Sequence, residues 1–89
     1  PASRRVTRGE TRLHLTPREH SVLKFLMRHA GSVVTKHDIL QSVWDSNYEG
    51  DDNIVEVYIG YLRRKIDAPF GTTSIETVRG VGYSMRAEG

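Results

Sequence analysis

The chain has no cysteine. That excludes disulfide staples and thiolate zinc sites, and it permits a reducing compartment without requiring one. No apolar run approaches the ~20 residues that span a bilayer as a helix. There is no signal-peptide pattern, no internal repeat and no low-complexity segment. The four histidines, His14, His20, His29 and His37, lack metal-ligand spacing such as HExxH. Ser32, Ser42 and Ser46 have no nucleophile-elbow context. Gly80-Val81-Gly82 lacks the third glycine and following helix of a dinucleotide fingerprint. The acids read as spread along the surface or placed at helix starts. With no nucleophile, base or metal site, neither an enzyme nor a cofactor is expected.

What remains is one small domain of 89 residues, 37% of them hydrophobic. A chain this short has a modest core and a thin margin of stability. It opens at Pro1 rather than at a methionine, so it reads as a fragment of a longer protein. The net charge of +2 is small, but the charges are segregated. Arg4, Arg5, Arg8 and Arg12 cluster early against Glu10. Residues 45–56 hold Asp45, Glu49, Asp51, Asp52 and Glu56 with no cation. Arg63, Arg64, Lys65, Arg79 and Arg86 follow. A charge run usually marks a solvated face, yet two basic elements facing one way also make a phosphate-binding footprint.

Along the chain, residues 4–15 alternate weakly around Gly9-Glu10 and predict a short β-hairpin. Thr16-Pro17-Arg18-Glu19 is a capping box with proline at the first helical position. The helix it opens is expected to run to about Ala30 and stop at Gly31, burying Val22, Leu23, Leu26, Met27 and His20. Ser32-Val33-Val34 reads as an extended link. Thr35-Lys36-His37-Asp38 is a second capping box, opening a helix to about Trp44 with Ile39, Leu40, Val43 and Trp44 on its buried side. A polar, acidic loop covers 45–52. Asp51 or Asp52 then caps a third helix, predicted over residues 51–67. Residues 74–86 read as strand, turn, strand, with an αL glycine in the turn.

The third helix organises the rest. Val55, Ile59, Leu62 and Ile66 fall within roughly 60° of one another on a helical wheel and form its buried stripe. The opposite side carries Asn53, Val57, Gly60 and Arg64, flanked by Glu56, Tyr61 and Arg63. A face meant only for water has little use for Val57, Gly60 and Tyr61. Val57 can pack on a thymine methyl, Arg64 can pair with guanine or phosphate, and Asn53 can bond adenine or the backbone. A mid-helix glycine costs ~1 kcal/mol relative to alanine. Close approach to a groove floor is one reason to accept it; close packing on another protein element is the bland alternative. Arg79, at the tip of the last hairpin, suits a narrow minor groove. Its bland alternative is an exposed arginine in a tight turn.

Three stretches, LTPREHSVLKFLMRHAGSVVTKHDILQSVW (15–44), VEVYIGYLRRKID (55–67) and IETVRGVGY (75–83), resemble the DNA-binding (effector) domain of OmpR/PhoB-type response regulators. The resemblance implies an α+β winged helix-turn-helix: short N-terminal antiparallel strands, three helices and a C-terminal β-hairpin wing. Residues 1–89 would form a single domain, with 1–15 the remnant of the N-terminal sheet, 16–67 the three helices and 74–86 the wing. It implies the third helix in the major groove and Arg79 in the adjacent minor groove. Asn53, Glu56, Val57, Tyr61 and Arg63 match positions that touch bases or backbone, and Lys36, Trp44, Tyr58 and Thr77 match backbone-contacting ones. Gly60 and Arg64 complete the expected DNA-binding set. Asp45, Ser46, Asn47, Tyr48, Glu49, Gly50, Asp51 and Asp52 match a loop that contacts RNA polymerase. His20 stands where the family usually has an aromatic. The implied partners are tandem half-sites of double-stranded DNA, a second copy of the chain, RNA polymerase, and a histidine kinase acting on a receiver domain absent from this sequence. The implied location is cytoplasmic. Two rivals stand beside this reading: a winged helix that docks protein, and the DNA-binding domain of a membrane-anchored activator.

Overall fold

The computed structural model describes residues 6–8, 11–45 and 48–86. The expected turn at Gly9-Glu10, together with Arg4, Arg5, Ser46 and Asn47, lies outside the described residues. Strands β1 (Val6–Arg8) and β2 (Thr11–Leu13) pair antiparallel, with Val6 opposite Leu13, as the early hairpin requires.

Helix α1 spans Pro17–Arg28. Its start is the capping box read from the sequence. Thr16 Oγ1 accepts the Glu19 amide at 3.2 Å, and Glu19 Oε1 accepts the Thr16 amide at 2.9 Å. Val22, Leu23 and Leu26 face the core. Met27 does not: it is 60% exposed. At 100° per residue, Val22, Leu26 and Leu23 fill an arc of roughly 100°, and Met27 lies about 40° past its Leu23 edge. His20 is half-buried. The helix closes at His29, earlier than expected, and the chain turns through Gly31 at φ 89°.

The expected link after Gly31 is in fact a strand, β3 (Val33–Thr35). It pairs antiparallel with β5 (Gly82–Met85), which also pairs with β4 (Ile75–Val78), so the sheet order is β3-β5-β4. Gly82 is required by this arrangement. A Cβ there would collide with the Val34 carbonyl and lie 2.8 Å from Thr35 Cα. Helix α2 (Lys36–Val43) leaves β3 through the second capping box, Thr35 Oγ1 accepting the Asp38 amide and Asp38 Oδ2 accepting the Thr35 amide, both at 3.0 Å.

Helix α3 runs from Ile54 to Leu62 and then widens into a π-helical turn, Arg63–Asp67, followed by a 3₁₀ turn, Ala68–Phe70. The single long helix expected over 51–67 is therefore split. Val55, Ile59 and Leu62 on α3, with Ile66 on the π turn, meet Val22 and Leu26 of α1, Ile39 of α2 and Ile75 of β4 in one core. Leu40, Val43 and Trp44 pack at its margin. The β4–β5 hairpin contributes Ile75, Tyr83 and Met85 to that core.

Two carboxylates are buried that the sequence suggested were at the surface or merely capping. Glu19 is 4% exposed and meets Lys65 Nζ at 2.6 Å. Burial alone would raise its pKa, but the Lys65 and Thr16 hydrogen bonds outweigh that and hold it below the ordinary value. Asp67, also 4% exposed, accepts from Thr72 Oγ1 at 2.9 Å and from the amides of Ser74 at 3.0 Å and Ile75 at 3.4 Å. Burial is again outweighed by these donors, and its pKa is lowered. Asp67 thereby fixes the loop that carries the chain from α3 into the wing.

Candidate nucleic-acid interface

The buried stripe of α3 leaves its other side open. Val57 is 42% and Tyr61 38% exposed, large values for apolar and aromatic residues with a core a few ångströms away. Asn53, Glu56 and Arg64 are exposed beside them. A Cβ built on Gly60 meets nothing within 4 Å, so no element of the described chain packs there. Close packing within the domain is thus not what selects this glycine.

Charge on this face is organised by pairing. Lys36, at the start of α2, bonds Glu56 of α3 at 2.9 Å. That bond raises the Lys36 pKa. Arg64 lies 5.9 Å from the Tyr61 ring centroid. Arg63 is half-buried, and its Nη2 donates to the Ile75 carbonyl at 3.0 Å and to Thr77 Oγ1 at 2.8 Å. These bonds tie the residue that follows α3 to β4. Arg79 and Val81 are exposed at the hairpin tip, where Gly80 adopts φ 77° and the Val81 amide bonds the Val78 carbonyl at 2.9 Å. The αL glycine expected in this turn is Gly80.

An aromatic run borders the same surface. Tyr61 packs edge-on against Tyr58, and Tyr58 against Trp44, each at 5.3 Å between centroids. Trp44 also meets Tyr48 at 6.4 Å, and the Arg18 guanidinium sits 5.0 Å from its ring. Arg18 additionally donates to the Val43 carbonyl, closing α1 onto the end of α2. This cation–π contact has no signal in the sequence, since Arg18 lies on α1 and Trp44 just past the end of α2. The acidic loop starts from this cluster. The Tyr48 amide bonds the Asp45 carbonyl at 2.9 Å, and its hydroxyl donates to the Asp51 carbonyl at 3.1 Å. The ring lies so close over Gly50 that a Cβ there would sit 2.8 Å from its Cε1. Asp51 Oδ1 accepts the Asn53 amide at 2.9 Å, which lowers the Asp51 pKa. Asp45, Glu49, Asp51 and Asp52 are all exposed.

The structure therefore brings Asn53, Glu56, Val57, Gly60, Tyr61 and Arg64 onto one open face. Lys36 meets it through Glu56, Trp44 and Tyr58 through Tyr61, Thr77 bonds Arg63, and Arg79 is exposed at the tip of the hairpin. Arg63 is drawn into the scaffold. Among the described residues no His, Asp or Glu cluster could hold a metal ion, and no helix is long and apolar enough to cross a membrane.

The model of the family described as "Transcriptional regulatory protein, C terminal" matches residues 9–85. The chain is similar to the transcriptional regulatory protein TcrA of Mycobacterium tuberculosis, at 48% identity over 89 residues, covering 100% of this chain and 35% of TcrA. It is similar to the transcriptional regulatory protein CusR of Escherichia coli, at 46% identity over 83 residues, covering 93% of this chain and 37% of CusR. Among solved structures it is similar to the DNA-binding domain of Klebsiella pneumoniae RstA in complex with the RstA box. That match has a TM-score of 0.83 and 31% identity, and covers 98% of this chain and 87% of the other. The chain thus spans 35–37% of the length of these curated relatives.

Proposed function

Since the chain belongs to the family of transcriptional regulatory protein C-terminal domains, of OmpR/PhoB type, we propose that it binds double-stranded DNA by sequence as the output domain of a two-component response regulator. The family is one of transcription factors, not of enzymes. The observation that carries the reading is the open side of α3: exposed Val57 and Tyr61 flank a Gly60 with empty space in front of it, and Arg79 is exposed at the hairpin turn. A B-form major groove is wide enough to admit a helix, and a glycine in the leading face lets the backbone come close to base edges.

In this reading Asn53, Glu56, Val57 and Tyr61 discriminate bases and Arg64 meets phosphate or guanine. Lys36, Trp44, Tyr58 and Thr77 contact the backbone, and Arg79 enters the adjacent minor groove. Two copies occupy tandem half-sites once a histidine kinase has phosphorylated a receiver domain elsewhere in the protein. The acidic loop at 45–52 offers its carboxylates to RNA polymerase, in the cytoplasm. The RstA domain's complex with its box supports the DNA partner.

A gel shift on random-sequence duplex at low and high salt tests the reading. Binding that falls steeply as salt rises is expected, because each neutralised phosphate releases counterions. No shift at low salt, or a flat salt dependence, would favour the protein-docking alternative.

A further inference from the structure

Arg63 looks, by sequence, like one more cation on the reading helix. Its geometry assigns it elsewhere. One nitrogen, Nη2, bonds both the Ile75 carbonyl at 3.0 Å and Thr77 Oγ1 at 2.8 Å. The guanidinium carbon lies 5.9 Å from the centroid of the Tyr83 ring. Ile75 and Thr77 belong to β4 and Tyr83 to β5, where Thr77 and Tyr83 are cross-strand partners. A single side chain at the end of α3 therefore grips both strands of the hairpin whose tip bears Arg79. It does so from the first residue of the π turn, where the regular helix ends. A planar guanidinium suits this task, since it can stack on a ring while its edge donates in the same plane.

We propose that Arg63 is a positioning residue for the wing, setting the distance and angle between α3 and Arg79 rather than contacting phosphate. With α3 in the major groove, the hairpin is held where its arginine meets the adjacent minor groove. Without the Arg63 grip the hairpin keeps its own ladder but loses its registration with α3. The inference rests on the DNA-binding reading above and adds the residue that couples the two readers.

The test compares two duplexes that differ only in an A-tract placed for the wing, since a narrowed minor groove attracts arginine. Affinities are measured for the wild-type chain, Arg63→Met, Arg63→Lys, Arg79→Ala, and each of the first two variants combined with Arg79→Ala. Methionine keeps the aliphatic stem and removes the donors. Arg63→Lys keeps a cation that can still meet phosphate but loses the planar fork, so it carries the test if Arg63→Met does not fold. Arg79→Ala is expected to abolish the A-tract preference, weakening binding to that duplex about five- to 150-fold. Arg63→Met should do the same, and Arg63→Lys, which keeps the charge but not the fork, should follow with a smaller loss. Neither should weaken the Arg79→Ala background further. Equal losses on both duplexes, additive with Arg79→Ala, together with a salt slope reduced by about 0.9 in the Arg63→Met variant, would mark a direct phosphate contact and overturn the positioning role alone. Failure of the wild-type chain to bind either duplex at low salt would overturn the DNA-binding reading, and this inference with it.

Discussion

Gly60 separates what this surface does for folding from what it does for binding. It sits inside α3 with an ordinary helical φ, outside the set of positive-φ glycines. A Cβ added there meets nothing within 4 Å. Gly60→Ala therefore brings no steric cost and removes the glycine penalty, a gain of about 0.8–1 kcal/mol. For a domain of this size that is a rise in Tm of about 4–8 °C. Gly60→Leu should keep most of the gain, because leucine is also a good helix former. In a complex the sign reverses. A leucine between Val57, Tyr61 and Arg64 occupies the space in which base edges must come close. Overpacking of a close interface costs ~1–3 kcal/mol, so operator affinity should fall about tenfold or more. Thermal melts followed by circular dichroism measure the first effect, and fluorescence anisotropy on a selected duplex the second. A variant with a raised Tm and unchanged affinity would refute the claim that this face approaches DNA closely.

Acid should weaken the fold through Glu19 and Asp67, both held below the ordinary carboxylate pKa. Their stabilisation is fully present above the unfolded value of ~4 and is lost as pH falls through the lower folded values. Asp67→Asn should cost about 1–3 kcal/mol at neutral pH and flatten the acid decline of the urea midpoint. An unaltered decline would show that Asp67 is not among its causes. Gly82→Ala should destabilise by about 1–3 kcal/mol, because its Cβ meets the backbone of β3; an unchanged urea midpoint would contradict the tight β3–β5 contact. Arg79→Ala should leave stability within about 0.5 kcal/mol while weakening duplex binding by ~1–3 kcal/mol, and equal affinity would remove the wing from the interface.

Local signals in the sequence carried most of the fold. Thr16 with Glu19 and Thr35 with Asp38 mark helix starts because a capping box is complete within four residues, and both boxes form. The buried stripe of α3 and the glycine turn of the wing are equally local. What escaped depends on distant partners. Val33–Thr35 is too short to announce a strand, and it becomes one only because β5 arrives from the far end of the chain. Asp67 looks like an ordinary helix-end acid until Thr72, Ser74 and Ile75 fold back onto it. Lys65 likewise finds Glu19 across the core boundary. Of the reading surface, composition and period identified the outward side of α3, but not which cations are engaged within the domain. Arg63 and Lys36 match DNA-contacting positions by resemblance, and nothing in the sequence shows that the first bonds β4 and the second pairs with Glu56. Met27 was misplaced because a helical period defines an arc, and the width of the arc is set by what packs against it.

The most direct measurement is a map of backbone amide shifts on adding duplex to isotope-labelled protein. The account predicts that the largest changes fall on Asn53, Glu56, Val57, Gly60, Tyr61 and Arg64 and on the Arg79–Gly80 turn. The outer face of α1 around Met27 should remain still. Shifts confined to the 45–52 loop or to α1, with α3 unmoved, would contradict it.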